Sequence, residues 1–271
     1  MKYLLFFLLV LLIVVLYKNE TFTTNNRNVF IYWVGKEYKL ISILRNLIYL
    51  HSTNGKGYKV HLINDKNFNK YVKDVPECFK RLKPAHQADF VRVSVICDYG
   101  GIWLDSDTLV MDSLDSLFDI LDTKDGFFIY ENNHEIWNGV FGSKKSTELM
   151  NQWKHEIITK LDDKKENIAW TDIGTIVLEK FRNENKNYYQ NYEFFNGLDN
   201  MYPVNWNNCV EEFIKKPYDN YKNIKRDYQP IIVLVNWVYK EVEKKTNDEI
   251  MNGKMPLNYF INKSLQNKNS K

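Results

Sequence analysis

The chain has little cysteine and little net charge, and each shortage excludes a class of protein. Its 271 residues include only three cysteines, Cys78, Cys97 and Cys209, and no two of them form a C-x-x-C pair. A structural zinc site needs such clustered ligands, so that class is excluded, and we expect buried thiols. The net charge of +3 comes with no lysine-rich face. Such a balance does not favour a nucleic-acid-binding protein.

The chain also lacks an internal repeat or a linker that would divide its main part. Residues 29–262 are therefore expected to form one α/β domain, for which the length is sufficient. The following segment, 263–271, is polar and is predicted to be a disordered tail.

A long hydrophobic run occurs once, in residues 1–18, where Lys2 and Lys18 flank unbroken apolar residues from Tyr3 to Leu16. A run of this length is short for a spanning helix, although a thin bilayer would accommodate it. The alternatives are an uncleaved membrane anchor and a cleaved signal peptide, and the absence of a small-x-small cleavage site favours the anchor. Residues 19–28 are polar and are predicted to be a short stem.

The domain opens with a strand, a helix and a second strand. Val29 to Val34 is β-branched and aromatic, Glu37 to Ser52 has apolar residues at helical spacing, and Tyr58 to Asp65 ends in a polar pair. This order is typical of a parallel α/β sheet with right-handed crossovers. Ligands of such sheets bind beyond the carboxyl ends of the strands.

Two carboxylates follow the next predicted strand. In DYGGIWLDSDTLV, Asp105 and Asp107 flank one serine after an apolar run. Residues two apart on a strand point to the same side, so both carboxylates can address one spot. Unpaired like charges that close repel each other, which predicts a positive group between them.

A buried helix precedes this stretch and carries a charged pair. The segment from Pro84 to Gly100-Gly101 has helix-start and helix-stop signals and is apolar around most of its circumference. Asp89 and Arg92 lie three apart, close enough to touch on one helix face. Two interpretations stay open, a structural ion pair and a pair aimed at the hydroxyls and phosphates of a ligand.

Together these residues resemble a known signature. AHQADFVRVSVICDYGGIWLDSDTLV is similar to the pattern of glycosyltransferase family 32, the DXD-containing sugar transferases that include yeast initiating α-1,6-mannosyltransferases and capsular-polysaccharide enzymes. The matching positions are Ala85, Asp89, Arg92, Tyr99, Gly100, Gly101, Asp105 and Asp107. The resemblance implies a GT-A fold, a single Rossmann-like sheet flanked by helices, here preceded by the hydrophobic anchor helix.

The resemblance also implies roles for particular residues. Asp107 and Asp105 would bind Mn²⁺ or Mg²⁺ and act in catalysis, and Asn236 stands where relatives carry a third ligand, a histidine. Hard oxygen ligands suit these ions. The predicted donor-binding residues are Asp89, Arg92, Tyr99, Asp105, Asn138, Asp172 and Trp237, so Asp105 would serve both the metal and the donor. For Asp172 an equally open alternative is a carboxylate favoured by the helix dipole.

The function that the resemblance implies is metal-dependent, retaining transfer of a hexose from a nucleotide-diphosphate sugar to a glycan, lipid or protein acceptor. The protein would lie in a membrane as a single-pass protein, with a lumenal catalytic domain if the cell is eukaryotic or the gene viral. An inactive sugar-nucleotide-binding protein is one alternative. A haloacid dehalogenase-type phosphatase is less favoured, because Leu109 stands where that family has threonine.

Overall fold

The structure is a computed structural model, and it describes residues 27–130, 135–165, 167–184, 186–197, 208–217, 230–235 and 238–269. The strands are β1 (Asn28–Tyr32), β2 (Lys59–Ile63), β3 (Gly101–Leu104), β4 (Thr108–Val110), β5 (Gly126–Tyr130), β6 (Ile136–Ser143), β7 (Tyr192–Asn196) and β8 (Ile231–Val233). The helices are α1 (Lys39–His51), α2 (Pro84–Tyr99), α3 (Asp115–Thr123), α4 (Glu148–Lys164), α5 (Thr175–Glu184), α6 (Val238–Glu243), α7 (Asn247–Asn252) and α8 (Pro256–Asn269).

Six strands form the central sheet in the order β2-β1-β3-β6-β5-β7. Neighbouring strands are parallel except at β6, which runs antiparallel to both β3 and β5. The sequence pattern predicts a parallel sheet, and the reversed β6 is a departure from it. The α/β class and the single central sheet flanked by helices are confirmed.

Strand β3 shows how the sheet is covered on both faces. Ile102 and Leu104 pack in the layer of α3, whereas Trp103 between them packs in the layer of α2, α4 and α5. This alternation is the two-residue period of a strand, with apolar residues on both sides because both faces are buried. The side chain that follows Trp103 on its own face is that of Asp105.

Gly100 and Gly101 join α2 to β3 because no other residue fits there. Their φ angles are 69° and 124°, a region that residues with a Cβ rarely adopt. A Cβ at Gly101 would lie 2.4 Å from the carbonyl oxygen of Asn28, and one at Gly100 would lie 2.7 Å from the amide nitrogen of Lys145. The Gly-Gly pair therefore lets α2 end close against β1 and against the turn that follows β6.

A second, two-stranded sheet of β4 and β8 lies beside the central one. It packs with α1 and with the C-terminal helices in a separate hydrophobic cluster that includes Leu44, Leu109, Phe213 and Phe260. The link between the two sheets is the turn of residues 105–107, so the paired carboxylates lie where the sheets meet.

The structure corrects two boundaries that the sequence predicts. Asn28 begins β1, and Arg27 contacts the domain, so the predicted stem ends earlier than residue 28. The sequence predicts a disordered tail over residues 263–271. This prediction is wrong for residues 263–269, because α8 continues through them to Asn269. The predicted anchor, residues 1–18, lies outside the described residues. Within the described part of the chain, no helix is long and apolar enough to span a membrane.

The predicted buried thiols are confirmed. Cys78, Cys97 and Cys209 all fall in the described part of the chain, where each is buried and none forms a disulfide.

Candidate active site

The paired carboxylates lie in a tight turn at the carboxyl edge of the central sheet. The Asp105 amide donates to the carbonyl oxygen of Gly139 on β6 at 2.8 Å, and the Asp105 carbonyl accepts from the Thr108 amide at 3.0 Å. The Asp107 carbonyl accepts from the Leu234 amide at 3.1 Å. The two carboxylates are thus fixed by both sheets. They do not lie on one strand, as the sequence pattern suggests, because the chain turns directly after Leu104.

Ser106 fixes the middle of this turn. Its Oγ donates to the carbonyl oxygen of Tyr32, the last residue of β1, at 2.8 Å. The turn is therefore attached to the neighbouring strand as well, and Asp105 and Asp107 project from a rigid backbone.

Arg92 links the helix to the turn. Its Nη2 lies 3.1 Å from Asp105 Oδ1, and its Nη1 lies 3.5 Å from Asp89 Oδ1. The same Nη1 donates to the carbonyl oxygen of Asn138 at 2.7 Å, and Nε donates to the carbonyl oxygen of Ala88 at 3.3 Å. A guanidinium with so many partners acts by holding other groups in place.

Asn138 completes the cluster from β6. Its Nδ2 donates to Asp89 Oδ1 at 2.9 Å. The register between β5 and β6 shifts at this point, so that Ile129 pairs with Trp137 whereas Phe128 pairs with Phe141. Such bulges redirect side chains and are common beside active sites.

The cluster carries more negative than positive charge. It contains three carboxylates, Asp89, Asp105 and Asp107, and one guanidinium, that of Arg92. Burial raises the pKa of the Asp107 carboxyl well above its ordinary value, and the charge of Asp105 raises it further. Burial likewise raises the pKa of Asp105 and that of Asp89, while Arg92 opposes both shifts. A bound cation would relieve this excess.

The sequence pattern of the capsular polysaccharide synthesis proteins matches residues 12–252 of the chain, which is most of its length. The chain belongs to this family. No curated protein matches the sequence.

Solved structures show which fold this capsular polysaccharide synthesis family member adopts. A glycosyltransferase involved in the glycosylation of the major capsid of PBCV-1 is 12% identical, with a TM-score of 0.50, and the match covers 80% of this chain and 96% of that one. The apo form of the glycosyltransferase GlyE from Streptococcus pneumoniae TIGR4 is 12% identical, with a TM-score of 0.48, over 89% of this chain and 64% of that one. At 12% identity the likeness to the first of these structures shows the fold alone, which is the GT-A glycosyltransferase fold.

The structure brings together five of the residues that the sequence singles out: Asp89, Arg92, Asp105, Asp107 and Asn138. Tyr99 and Asp172 have other partners. Tyr99 comes before β3, at the opposite end of that strand from Asp105, and its hydroxyl donates to the carbonyl oxygen of Tyr71 at 3.1 Å. Asn236 and Trp237 lie outside the described residues.

Asp172 is also occupied away from the cluster. Its Oδ2 accepts from the Ala169 amide at 3.0 Å and from Lys164 Nζ at 3.1 Å. The Ala169 hydrogen bond is the main reason that the pKa of Asp172 is lowered, and the lysine adds to it. The carboxylate closes the turn ahead of α5.

Sequence reasoning assigned no role in the site to Trp103 or to two glycines, Gly139 and Gly174. The Trp103 indole donates from Nε1 to Asp105 Oδ1 at 2.8 Å, and Arg92 Cζ lies 5.4 Å from its ring centre. The signal was present, since Trp103 and Asp105 are two apart at a strand end. A Cβ at Gly139 would lie 2.9 Å from Asp105 Oδ2, and one at Gly174 would lie 2.4 Å from Asn138 Nδ2. These glycines leave room for the carboxylates and the amide.

The donor set suits a hard cation in kind. Trp103 and Arg92 hold Asp105 Oδ1, which leaves Asp105 Oδ2 for a ligand. Among the described residues, none but Asp107 itself donates a hydrogen bond to the Asp107 carboxylate. The described residues include no group of three or more His, Cys, Asp or Glu that could hold a metal by themselves. Mg²⁺ and Mn²⁺ are commonly held by one or two carboxylates together with substrate phosphates, and the residues present fit that arrangement.

Proposed function

We propose that this chain is a nucleotide-sugar-dependent glycosyltransferase that transfers a hexose, with retention of configuration, to a glycan, lipid or protein acceptor. The observation that carries the proposal is the excess of carboxylates at the edge where β1 and β3 end, in a chain with the fold of glycosyltransferases and the family of capsular polysaccharide synthesis. A negatively charged cleft would repel a nucleoside diphosphate by itself. It therefore suits a donor that arrives with a divalent cation.

The cation proposed is Mn²⁺ or Mg²⁺, held by Asp107 and by Asp105 Oδ2, with Asn236 as the proposed third protein ligand. When bound, the cation would neutralise the charge that develops on the diphosphate leaving group. The chain's own residues do the rest. Trp103 and Arg92 hold the Asp105 carboxylate in one orientation, and the turn attached through Ser106 keeps Asp107 beside it.

Asp89 is proposed to bind hydroxyls of the donor sugar. Its Oδ1 is taken by Asn138 and Arg92, so the other oxygen is left for a ligand. The proposed arrangement combines the two interpretations of the Asp89–Arg92 pair: the ion pair holds Arg92 in place, and Asp89 is still able to accept a hydrogen bond from a hydroxyl. The proposed donor site includes Trp237 as well.

The finer family assignment and the membrane attachment are also proposals. The Asp105-x-Asp107 stretch supports membership of the DXD-type transferases of glycosyltransferase family 32. The apolar run of residues 1–18 supports an uncleaved single-pass anchor, which would place acceptors made at a membrane within reach of the domain.

The test is donor turnover by purified protein, followed with UDP- and GDP-hexoses in the presence and absence of Mn²⁺. We expect wild-type turnover that depends on the metal. The Asp107→Asn variant should lose roughly a thousandfold in rate, because several kcal/mol of leaving-group stabilisation disappears. Its melting temperature should hold or rise, since one of two repelling carboxylates has gone.

Asp98→Asn is the matched control. Asp98 pairs with Lys154 at 2.7 Å near the other end of α2, and its loss should leave turnover unchanged. Full metal-dependent turnover in Asp107→Asn would contradict the assignment, and a collapsed melting temperature would show that the pair is structural. Release of phosphate from simple phosphate esters, without sugar transfer, would favour the phosphatase alternative.

A further inference from the structure

One tryptophan of this chain is held open to solvent beside the cluster. The side chain of Trp170 is 64% exposed, whereas Trp103 and Trp153 are 1% and 0% exposed. Trp170 is the most exposed of the large hydrophobic residues in the described ranges. An indole left in water forgoes the stabilisation that its burial would give. A single exposed apolar side chain is common on protein surfaces, so the case for a ligand rests on what lies beside this indole.

The turn that carries Trp170 is rigid. The Trp153 indole donates to the carbonyl oxygen of Ile173 at 3.0 Å, and Lys160 Nζ donates to the carbonyl oxygen of Asp172 at 3.1 Å. The Asp172 carboxylate holds the Ala169 amide, as described above. The indole is therefore presented from a fixed backbone, which lowers the entropy cost of binding a ligand to it.

The same turn reaches the proposed donor site. Gly174, four residues after Trp170, lies against the cluster, and a Cβ there would approach Asp89 Oδ1 to 3.5 Å as well as meeting Asn138. The end of the turn that carries the exposed indole therefore lies against Asp89 and Asn138.

Under the indole lies a buried histidine, His86, that has no hydrogen-bond partner in the described part of the chain. His86 is 1% exposed, and neither ring nitrogen has a partner among the described residues. Its ring centre is 6.2 Å from that of Trp170, at an interplanar angle of 53°. His51 and His61, which are also buried, both have partners: His51 contacts Ser264 at 2.9 Å and His61 contacts Asn28 at 3.0 Å.

An unsatisfied buried imidazole destabilises the folded state, and such groups are rare in native proteins. His86 lies one helical turn before Asp89, so it is between the exposed indole and the donor-sugar residue. A polar group kept there without a structural partner is explained if a ligand hydroxyl becomes its partner.

We infer that Trp170 and His86 form a subsite for the acceptor sugar, an inference that rests on the proposed glycosyltransferase function. The indole stacks on the C–H face of a pyranose ring, and the imidazole meets a hydroxyl of that ring once the indole has turned onto the sugar. The occupant is the acceptor because Asp89 and the carboxylate pair account for the donor sugar and diphosphate, whereas Trp170 contacts His86, one helical turn before Asp89.

The experiment uses the full chain, the nucleotide-hexose that the wild type turns over, and p-nitrophenyl hexosides as acceptor probes. Transfer to the probe and hydrolysis of the donor without acceptor are measured in parallel. Trp170→Ala should raise the acceptor KM about tenfold, the size expected for loss of one aromatic stacking contact. The donor KM in hydrolysis should stay unchanged, and Trp170→Phe should recover part of the loss.

Ile176→Ala is the matched control. Ile176 is 46% exposed near the same turn, and it has no ring to stack, so its variant should transfer like the wild type. His86→Phe should lower transfer and raise the melting temperature by about 2 to 4 °C, because an unsatisfied polar group is removed. A lowered melting temperature in His86→Phe would show that the imidazole is structural and would overturn its part in the subsite.

Failure of this inference and failure of the proposed function look different. If the wild type neither hydrolyses nor transfers from any nucleotide-hexose, the proposed function is wrong, and the inference falls with it. If the wild type is active and Trp170→Ala keeps its acceptor KM, only the inference is overturned. A rise in donor KM instead of acceptor KM would also overturn it, because the indole would then belong to the donor site.

Discussion

Trp103 and Arg92 both meet the same oxygen of the Asp105 carboxylate. The Trp103 indole donates a hydrogen bond to Oδ1 at 2.8 Å, and Arg92 Nη2 forms an ion pair with Oδ1 at 3.1 Å. Two fixed partners on one oxygen set the rotation of the carboxylate, so that Oδ2 is presented to a ligand. The side chain of Asp105 is still 32% exposed, so this free oxygen can be reached from solvent.

This geometry predicts that Trp103 acts through Asp105. Trp103→Phe keeps an aromatic ring in the core and removes the indole donor, and we expect turnover to fall by roughly tenfold with little change in donor KM. Stability should fall by about 1 to 3 kcal/mol, from the lost hydrogen bond and a small cavity. Donor turnover and chemical denaturation measure the two effects.

Phe128→Leu is the control for packing alone. Phe128 is buried in the same hydrophobic cluster as Trp103, without a contact to the carboxylates. The Phe128→Leu variant should lose about as much stability as Trp103→Phe and keep the turnover of the wild type. Equal losses of turnover in both variants would contradict a positioning role for the indole.

At this scale the sequence predicts what short spacing can encode. Asp89 and Arg92 on one helix face, and Asp105 near Asp107, follow from periodicity. The contacts of Gly174 with Asn138, and of Trp170 with His86, join residues far apart in the chain. They depend on the reversed β6 and on the turn before α5, and no local pattern specifies either.

Among the elements, α8 shows most clearly how tertiary contacts override composition. Its last two turns are polar, which is typical of disorder. The Ser264 side chain is nevertheless fully buried, and its hydroxyl donates to the carbonyl oxygen of Val110 at 2.7 Å and contacts His51. Asn267 Nδ2 donates to the carbonyl oxygen of Met111 at 2.9 Å. Polar residues here end the small sheet by taking its free carbonyl groups.

Removing this part of α8 should therefore destabilise the domain. Ending the chain at residue 262 leaves the Val110 carbonyl and the His51 ring without these partners, and we expect a loss of about 2 to 4 kcal/mol. Urea denaturation measures it, beside a chain that ends at Asn269 and keeps every described contact. Equal stability of the two chains would show that the helix end contributes nothing.

For the whole molecule, the alternation of strand and helix predicts the α/β class and the central sheet. The turn chemistry of Gly100-Gly101 and the helix start at Pro84 also follow from the sequence, because both are local. The pairing of β4 with β8 does not, since the two strands lie far apart in the chain and each has only three residues. That pairing nevertheless fixes Asp107, so part of the site depends on the least predictable part of the fold.

The first described residue, Arg27, contacts the folded domain at three places. Arg27 Nε donates to the carbonyl oxygen of Gly57 at 2.8 Å, its guanidinium pairs with Asp115, and its Cζ lies 4.4 Å from the ring centre of Phe118. These contacts belong to the folded domain, so a chain beginning at Arg27 keeps them all, and one beginning at Val29 loses them.

If residues 1–18 are an uncleaved anchor, the full-length protein should stay in the membrane fraction when membranes are washed with alkaline carbonate. The chain beginning at Arg27 should instead be recovered in the fraction that contains no membranes. The chain beginning at Val29 should be recovered in the same way but be less stable by about 1 to 3 kcal/mol, because the partly buried Asp115, the Gly57 carbonyl and the buried His61 each lose a partner. Fractionation and urea denaturation of the three chains measure both effects. A full-length protein found in the medium, shortened at its N-terminus, would show that the run is a cleaved signal peptide instead.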